Sequence, residues 1–137
     1  MDLKLELIVI PVSDVDTAKD FYVNKLGFSV EMDQQLNPDF RVARLIPPGS
    51  RCAIAIGTGL SDATPGTAKG MHLMVLDAIE VARDLAHQGV NFNGPYHFVD
   101  GARVSGLHPT REPFNTFLDF ADPDGNAWII QEVPAKN

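Results

Sequence analysis

The sequence predicts an α+β fold in which strand, helix and three strands occur twice along a single domain of 137 residues. Three observations lead there. Apolar residues recur at helical spacing in two places, over residues 15–26 and 79–86, each just after a run dense in Leu, Ile, Val or Met. Sliding the chain by 64 residues lays Val12-Ser13 on Leu76-Asp77, Val15 on Ile79, Asp16 on Glu80, Ala18 on Ala82 and Phe21 on Leu85, a weak internal repeat. Finally, Phe117 to Glu132 reads as strand, tight turn, strand. Asp122-Pro123-Asp124-Gly125 supplies the residues of a type I turn, and the flanks are β-branched and aromatic.

The elements follow in order. Leu3 to Val12 reads as a buried strand. Ser13 is the expected N-cap of the first helix, with Asp16 as its capping-box acid. Val15, Ala18, Phe21, Tyr22 and Leu26 give that helix its apolar side, and Gly27 ends it. Strands are expected over residues 28–33, 40–46 and 51–56, with a turn at Pro47-Pro48-Gly49-Ser50. The first module thus covers about 1–58, a Gly/Thr/Pro/Ser-rich connector about 59–69, and the second module about 70–137. In the second module Met71 to Leu76 is a strand. Asp77 caps a helix with Glu80 at its third position and Ile79, Ala82, Leu85 and Ala86 as its apolar stripe, and Gly89 stops it. Val90 to Val99 is extended, Asp100 to Pro113 is expected to be a long polar loop, and the hairpin closes the chain.

Composition narrows the function classes. At 45% apolar and 21% charged residues the chain is of ordinary globular type. No apolar run approaches the roughly 18 residues of a membrane span, and Met1-Asp2-Leu3-Lys4 lacks the basic start of a signal peptide. The single cysteine, Cys52, leaves no internal disulfide, so the cytoplasm is the expected compartment. A net charge of −7 argues against nucleic acid as a partner and slightly favours a cationic ligand. Gly57-Thr58-Gly59 lacks the rest of a phosphate-binding motif. No nucleophile elbow, Ser-His-Asp order or Cys-His pairing is visible. Cys52 reads as an inert small hydrophobe.

The Asp122-Pro123-Asp124-Gly125-Asn126 hairpin resembles the C-terminal hairpin of the vicinal oxygen chelate superfamily, which includes glyoxalases, bleomycin-resistance proteins and extradiol dioxygenases. The N-terminal pattern Val12-Ser13-Asp14-Val15-Asp16, Phe21-Tyr22 and Leu26-Gly27-Phe28 resembles it too, so the likeness covers nearly the whole chain. The resemblance implies paired βαβββ modules whose mixed sheets curl around a shared cavity. It also implies a divalent ion (zinc, nickel, manganese or ferrous iron) held by His or Glu from the first and fourth strands of each module.

Carried over residue by residue, those positions are Leu7, Met71, Ile129 and one within residues 51–57, where no Asp, Glu or His stands. No metal and no other cofactor is therefore expected. If a metal is bound, His72 and Glu132 are the fallback ligands. Alternation would turn His72 to the face of Met74 and Leu76, beneath a helix, and Glu132 reads as a rim or surface carboxylate.

The functional expectation is a small organic molecule bound in an apolar cavity and probed by Leu7, Met71, Ile129 and Gln131. The segment from Tyr96 to Pro113 is expected over its mouth, with His97, Arg103, His108 and Arg111 as the polar contacts. The ligand would then carry an anionic or hydrogen-bond-accepting end. Whether catalysis accompanies binding stays open. The alternatives are a metal-dependent lyase, isomerase or dioxygenase with displaced ligands, and a non-catalytic dimeric interaction module. A homodimer is expected because the sheet edges need covering.

Overall fold

The structure, a computed structural model, describes residues 1–133; the predicted end of the second module, at residue 137, lies outside the described residues. The chain divides into two compact units, one comprising Met1–Ala68 with Asp122–Asn126, the other Lys69–Ala121 with the segment from Ala127 onward.

The first unit contains β1 (Leu7–Val9), α1 (Val15–Asp20), β2 (Ser29–Asn37), β3 (Phe40–Ile46) and β4 (Ala53–Thr58). Its four-stranded sheet has the order β1-β4-β3-β2, with β1 parallel to β4 and the other pairs antiparallel. The first strand is shorter than its composition suggests, because Leu3 and Leu5 are exposed. The cap of α1 is one residue later than expected. The Asp14 carboxylate, not Ser13, accepts the Thr17 N–H at 2.9 Å. After Asp20 the helix widens into a π-helical turn, Phe21–Lys25, with the Leu26 N–H reaching back to the Phe21 carbonyl. Val15, Ala18, Phe21 and Tyr22 are buried on this helical segment, and Tyr22 packs edge-on to Phe21 at 5.3 Å and against Phe28 at 5.4 Å. On the helix-side face of the sheet, Ile54 stands opposite Ile8 and Leu45, and Ile56 opposite Ala43. Charge pairs rim this face: Asp33 takes Arg41 and Lys19, and Arg41 also reaches Asp16. The hydrogen bonds from Arg41 and Lys19 hold the Asp33 carboxyl well below the usual carboxylate range.

The motif at Asp122–Asn126 has a structural reason. Gly125 takes φ +100°, the bulged end of a three-residue hairpin loop that a side chain would disfavour. The buried Asp122 carboxylate accepts the Asp124 and Asn126 N–H groups, the Asn126 amide and, at 2.7 Å, the Tyr22 hydroxyl. Asn126 also donates to the Pro11 carbonyl and accepts the Ala68 N–H. Ser13 binds the Asp124 carboxylate through both its N–H and its hydroxyl, which is what it does instead of capping α1. Every buried polar atom named here has a partner, as burial requires.

The second unit contains β5 (Met71–Val75), α2 (Ala78–His87), β6 (Phe92–Val99), β7 (Ala102–Ser105), β8 (Phe117–Ala121) and β9 (Ala127–Glu132). Its five-stranded sheet has the order β5-β9-β8-β6-β7. Asp77 caps α2 as expected, accepting the Ile79 and Glu80 N–H groups. Gly89 at φ +74° closes it, with Val90 N–H to the Leu85 carbonyl and Gly89 N–H to the Ala86 carbonyl, a Schellman arrangement. The buried residues of α2 are Ala78 and Leu85, with Val81 and Ala82 half-buried between them; the expected Ile79 and Ala86 are exposed. The helix packs on β6, β8 and β9, whose facing residues Leu118, Phe120, Trp128 and Ile130 are buried. Part of the expected polar loop is β7, paired to β6 through a two-residue Asp100-Gly101 turn with positive φ at both residues. Tyr96 to Ser105 is therefore a hairpin within the sheet rather than a cover over a cavity.

Candidate functional site

Residues paired across neighbouring strands share a sheet face. In β5 and β9, Met71 pairs with Trp128, Leu73 with Ile130 and Val75 with Glu132, all on the helix side. His72 pairs with Ile129 and Met74 with Gln131 on the opposite, open face. The expectation for β5 is corrected by one residue. Met71 belongs to the helix side, while His72 is exposed on the open face and not beneath a helix. The error has a visible source: matching the true N-caps, Asp14 with Asp77, shortens the repeat offset by one residue. It then pairs Val15 with Ala78 and Tyr22 with Leu85, all buried, and places His72 on Val9 rather than Met71 on Leu7.

The open face of the second sheet continues through Phe117 and Asp119 on β8, Asn93, Tyr96 and Phe98 on β6, and Arg103 and Ser105 on β7. It carries Met74, Phe98, Phe117 and Ile129 among polar side chains, and Met74 is 68% exposed. A polar knot lies at its centre. Asp119 accepts the Asn93 amide at 2.8 Å and the Tyr96 hydroxyl at 2.8 Å. The Arg103 guanidinium lies 3.6 Å above the Tyr96 ring, and its Nη2 is 3.8 Å from Asp119. Phe117 stacks on Tyr96 at 5.7 Å. Burial, and then the hydrogen bond to Asp119, push the Tyr96 phenol up to about 12. Beside the knot opens a cavity of about 610 Å³, lined among others by Asn91, Asn93, Tyr96, Asp119, Trp128 and Ile129. A bulge in β6 between Asn93 and Tyr96 shapes its wall. There Gly94 takes φ +112°, and a Cβ would stand 2.7 Å from the Phe117 carbonyl.

The remaining expected site residues are placed as follows. Leu7 lies on the open face of the first sheet with Val9, Ala53 and Ala55. Ile129 and Gln131 lie on the open face of the second, and Gln131 donates to the Phe114 carbonyl at 3.3 Å. His97 faces away from the knot, 5% exposed, with Nδ1 bonded to the Gly106 carbonyl and its ring edge-on to His108 at 5.6 Å. Nδ1 of His108 accepts the Thr110 and Glu112 N–H groups, which leaves Nε2 to face the Glu112 carboxylate at 3.3 Å.

Arg111 is bound up in structure: Nε donates to Glu132 at 2.8 Å, and Nη2 reaches both Glu132 and Asp77. Glu132 is not a rim carboxylate but 0% exposed, and it also accepts the Ala78 N–H at the start of α2. The Arg111 hydrogen bond holds its carboxyl below the usual range, although burial pushes the other way. Sequence reasoning missed Asn93, Tyr96 and Asp119. The available signal was Asp119 itself, a lone carboxylate alternating with Leu118 and Phe120.

The residues present do not fit the divalent ion of the resemblance. The open faces of β1 and β4 offer Leu7, Val9, Ala53 and Ala55, and those of β5 and β9 offer His72, Met74, Ala127, Ile129 and Gln131. One imidazole and one carboxamide do not make the three or four donors such ions take. Among the described residues no group of three or more His, Cys, Asp and Glu stands close enough to hold a metal. Among them, too, no helix is long and apolar enough to cross a membrane.

Two mixed sheets, each with a helix on one face, define a protein of the vicinal oxygen chelate fold. The chain belongs to the Glyoxalase/Bleomycin resistance protein/Dioxygenase superfamily, whose family model matches residues 4–130. It is similar to TnmS3, an antibiotic binding protein from Streptomyces sp. CB03234, with 26% identity, a TM-score of 0.77, and coverage of 96% of this chain and 97% of that one. A superfamily member from Sphaerobacter thermophilus is 31% identical, with a TM-score of 0.74 and coverage of 96% and 98%. The protein YetH of Bacillus subtilis is 24% identical over 126 residues, covering 91% of this chain and 94% of its own.

Proposed function

We propose that this protein binds a small organic molecule in the largely apolar cavity on the open face of its second sheet, without the metal of its metal-dependent relatives. The observation that carries the reading is the cavity of about 610 Å³ beside Tyr96, Asp119 and Ile129. That volume suits a drug-sized ligand, and an apolar lining with few polar groups is the usual composition of such sites. The likeness to TnmS3, an antibiotic binding protein, supports it. The chain would act as one domain of two modules, about 1–58 and 70–137, and as a homodimer that covers its open sheet edges. A metal-dependent lyase, isomerase or dioxygenase is disfavoured by chemistry. Of the fallback ligands, Glu132 is already taken by Arg111 and the Ala78 N–H, so that carboxylate does not pair with His72.

The test is a thermal-shift screen of apolar, drug-sized compounds, followed by titration of each hit into an Ile129→Trp variant. A ligand of the native state raises Tm, and one at about 100-fold its Kd adds roughly 2.7 kcal/mol. The folded variant, its cavity filled by the indole, is expected to lose that shift. A screen without hits, or a variant that binds each hit as tightly as the parent, refutes the reading.

A further inference from the structure

We infer that the bound molecule presents a hydrogen-bond-donating, cationic head to Asp119, and that this carboxylate selects amines over acids. The inference rests on the binding reading above and concerns the same cavity. Three polar side chains of the wall are Asn91, Asn93 and Asp119, and the rest of the lining that bears on a ligand is aromatic or aliphatic. Asp119 is the only carboxylate among the lining residues, and no Lys, Arg or His is among them.

The hydrogen-bond inventory of the knot favours a donor. Each carboxylate oxygen of Asp119 receives one protein hydrogen bond, from Asn93 at Oδ1 and from Tyr96 at Oδ2. Each oxygen has a second lone-pair site. The Tyr96 hydroxyl spends its proton on Asp119, so its oxygen turns lone pairs outward. The Asn93 amide likewise spends an N–H on Asp119, and its carbonyl remains an acceptor. The groups beside the cavity are thus arranged as acceptors that converge on one negative charge.

The basic loop residues do not oppose this. Arg111 is tied to Glu132, and His97 faces away from the knot. Among the described residues, Arg103 is the cation that reaches the knot. Its guanidinium lies on the Tyr96 ring, 3.8 Å from Asp119, with the side chain 54% exposed, so much of its field is spent in water. It tempers the carboxylate without closing it off. The anionic end expected from the loop sequence is therefore reversed, and the local charge agrees in sign with the net charge of −7.

Three probes with one ring system separate head group from body: 2-naphthylmethylamine, 2-naphthylmethanol and 2-naphthoate. Binding is read from the methyl resonances of Ile129, which lines the cavity opposite Asp119 on the same sheet face. The amine is expected to bind about tenfold more tightly than the carboxylate, with the alcohol between them. Asp119→Asn, its fold checked by circular dichroism, should bring that ratio to about one. Arg103→Gln, a change at an exposed side chain, should widen the ratio. Equal binding of all three probes, tighter carboxylate binding, or a ratio untouched in both variants overturns the inference and leaves the binding reading standing. Failure of all three probes to move the Ile129 resonances overturns both.

Discussion

Removing Arg111 tests whether the end of β9 is held by a buried charge pair or only by packing. In Arg111→Ala the Glu132 carboxylate, 0% exposed, keeps its bond to the Ala78 N–H but loses its counter-charge. Breaking a fully buried pair from one side costs about 3–5 kcal/mol. Here the Arg111 side chain is 35% exposed, so water already screens part of the attraction, and about 2–3 kcal/mol is the reasonable loss. At about 3–5 °C per kcal/mol for a chain of this length, Tm should fall by roughly 6–15 °C.

The pH dependence carries the sharper test. Arg111 holds the folded Glu132 carboxyl below its unfolded value, so the pair contributes fully above about pH 4.3 and is lost as pH falls through the folded value. Without Arg111, burial raises that carboxyl instead, and protonation relieves the variant as the solution is acidified. The gap between parent and variant, followed by circular dichroism melts from pH 7 to pH 4, should therefore narrow. Adding Glu132→Gln to the variant should recover part of the loss at pH 7, because a neutral amide has less to lose by burial. A parent and variant that melt within 1 °C, or a gap that stays constant over that range, refutes the charge-pair account.

Asn126→Ala removes donors to Pro11 and Asp122 and the acceptor of the Ala68 N–H at a fully buried position; urea unfolding should show a loss of about 3 kcal/mol. Gly66→Ala should destabilise more than Gly70→Ala. Both sites have strongly positive φ, but only at Gly66 would the new Cβ meet backbone, 2.1 Å from the Asp124 carbonyl; paired thermal melts make the comparison. Prolonged dialysis against EDTA should leave Tm unchanged within about 1 °C, since the open faces offer His72 and Gln131 and no further nitrogen or carboxylate ligand from β1, β4, β5 or β9. Light scattering should find a mass near twice 14.9 kDa if the proposed dimer forms.

Much of the architecture was legible because its signals are local. The two helices announce themselves by apolar spacing, and the second also by Asp77 ahead of its first turn. The terminal hairpin does so by Asp122-Pro123-Asp124-Gly125, whose Gly125 indeed takes a positive φ. The Asp100-Gly101 turn carries a signal of the same kind, and through it Ala102–Ser105 pairs with β6 as a strand where a loop is expected. What depends on register was not legible. A single-residue choice between Ser13 and Asp14 as N-cap moved the repeat offset by one, and in a strand one residue exchanges the two faces. That exchange put Met71 in the place of His72.

The sequence by itself determined two helices, the strand-rich remainder and the family, because propensity, capping and turn chemistry act over a few neighbouring residues. Only the tertiary structure decided which polar groups are spent on the fold and which face a cavity. Arg111 and Glu132, 21 residues apart, neutralise each other beneath β9, whereas Asn93, Tyr96, Arg103 and Asp119 converge from three strands. A side chain's charge can be read from its letter, but whether that charge is already satisfied depends on strand pairing between segments distant in sequence.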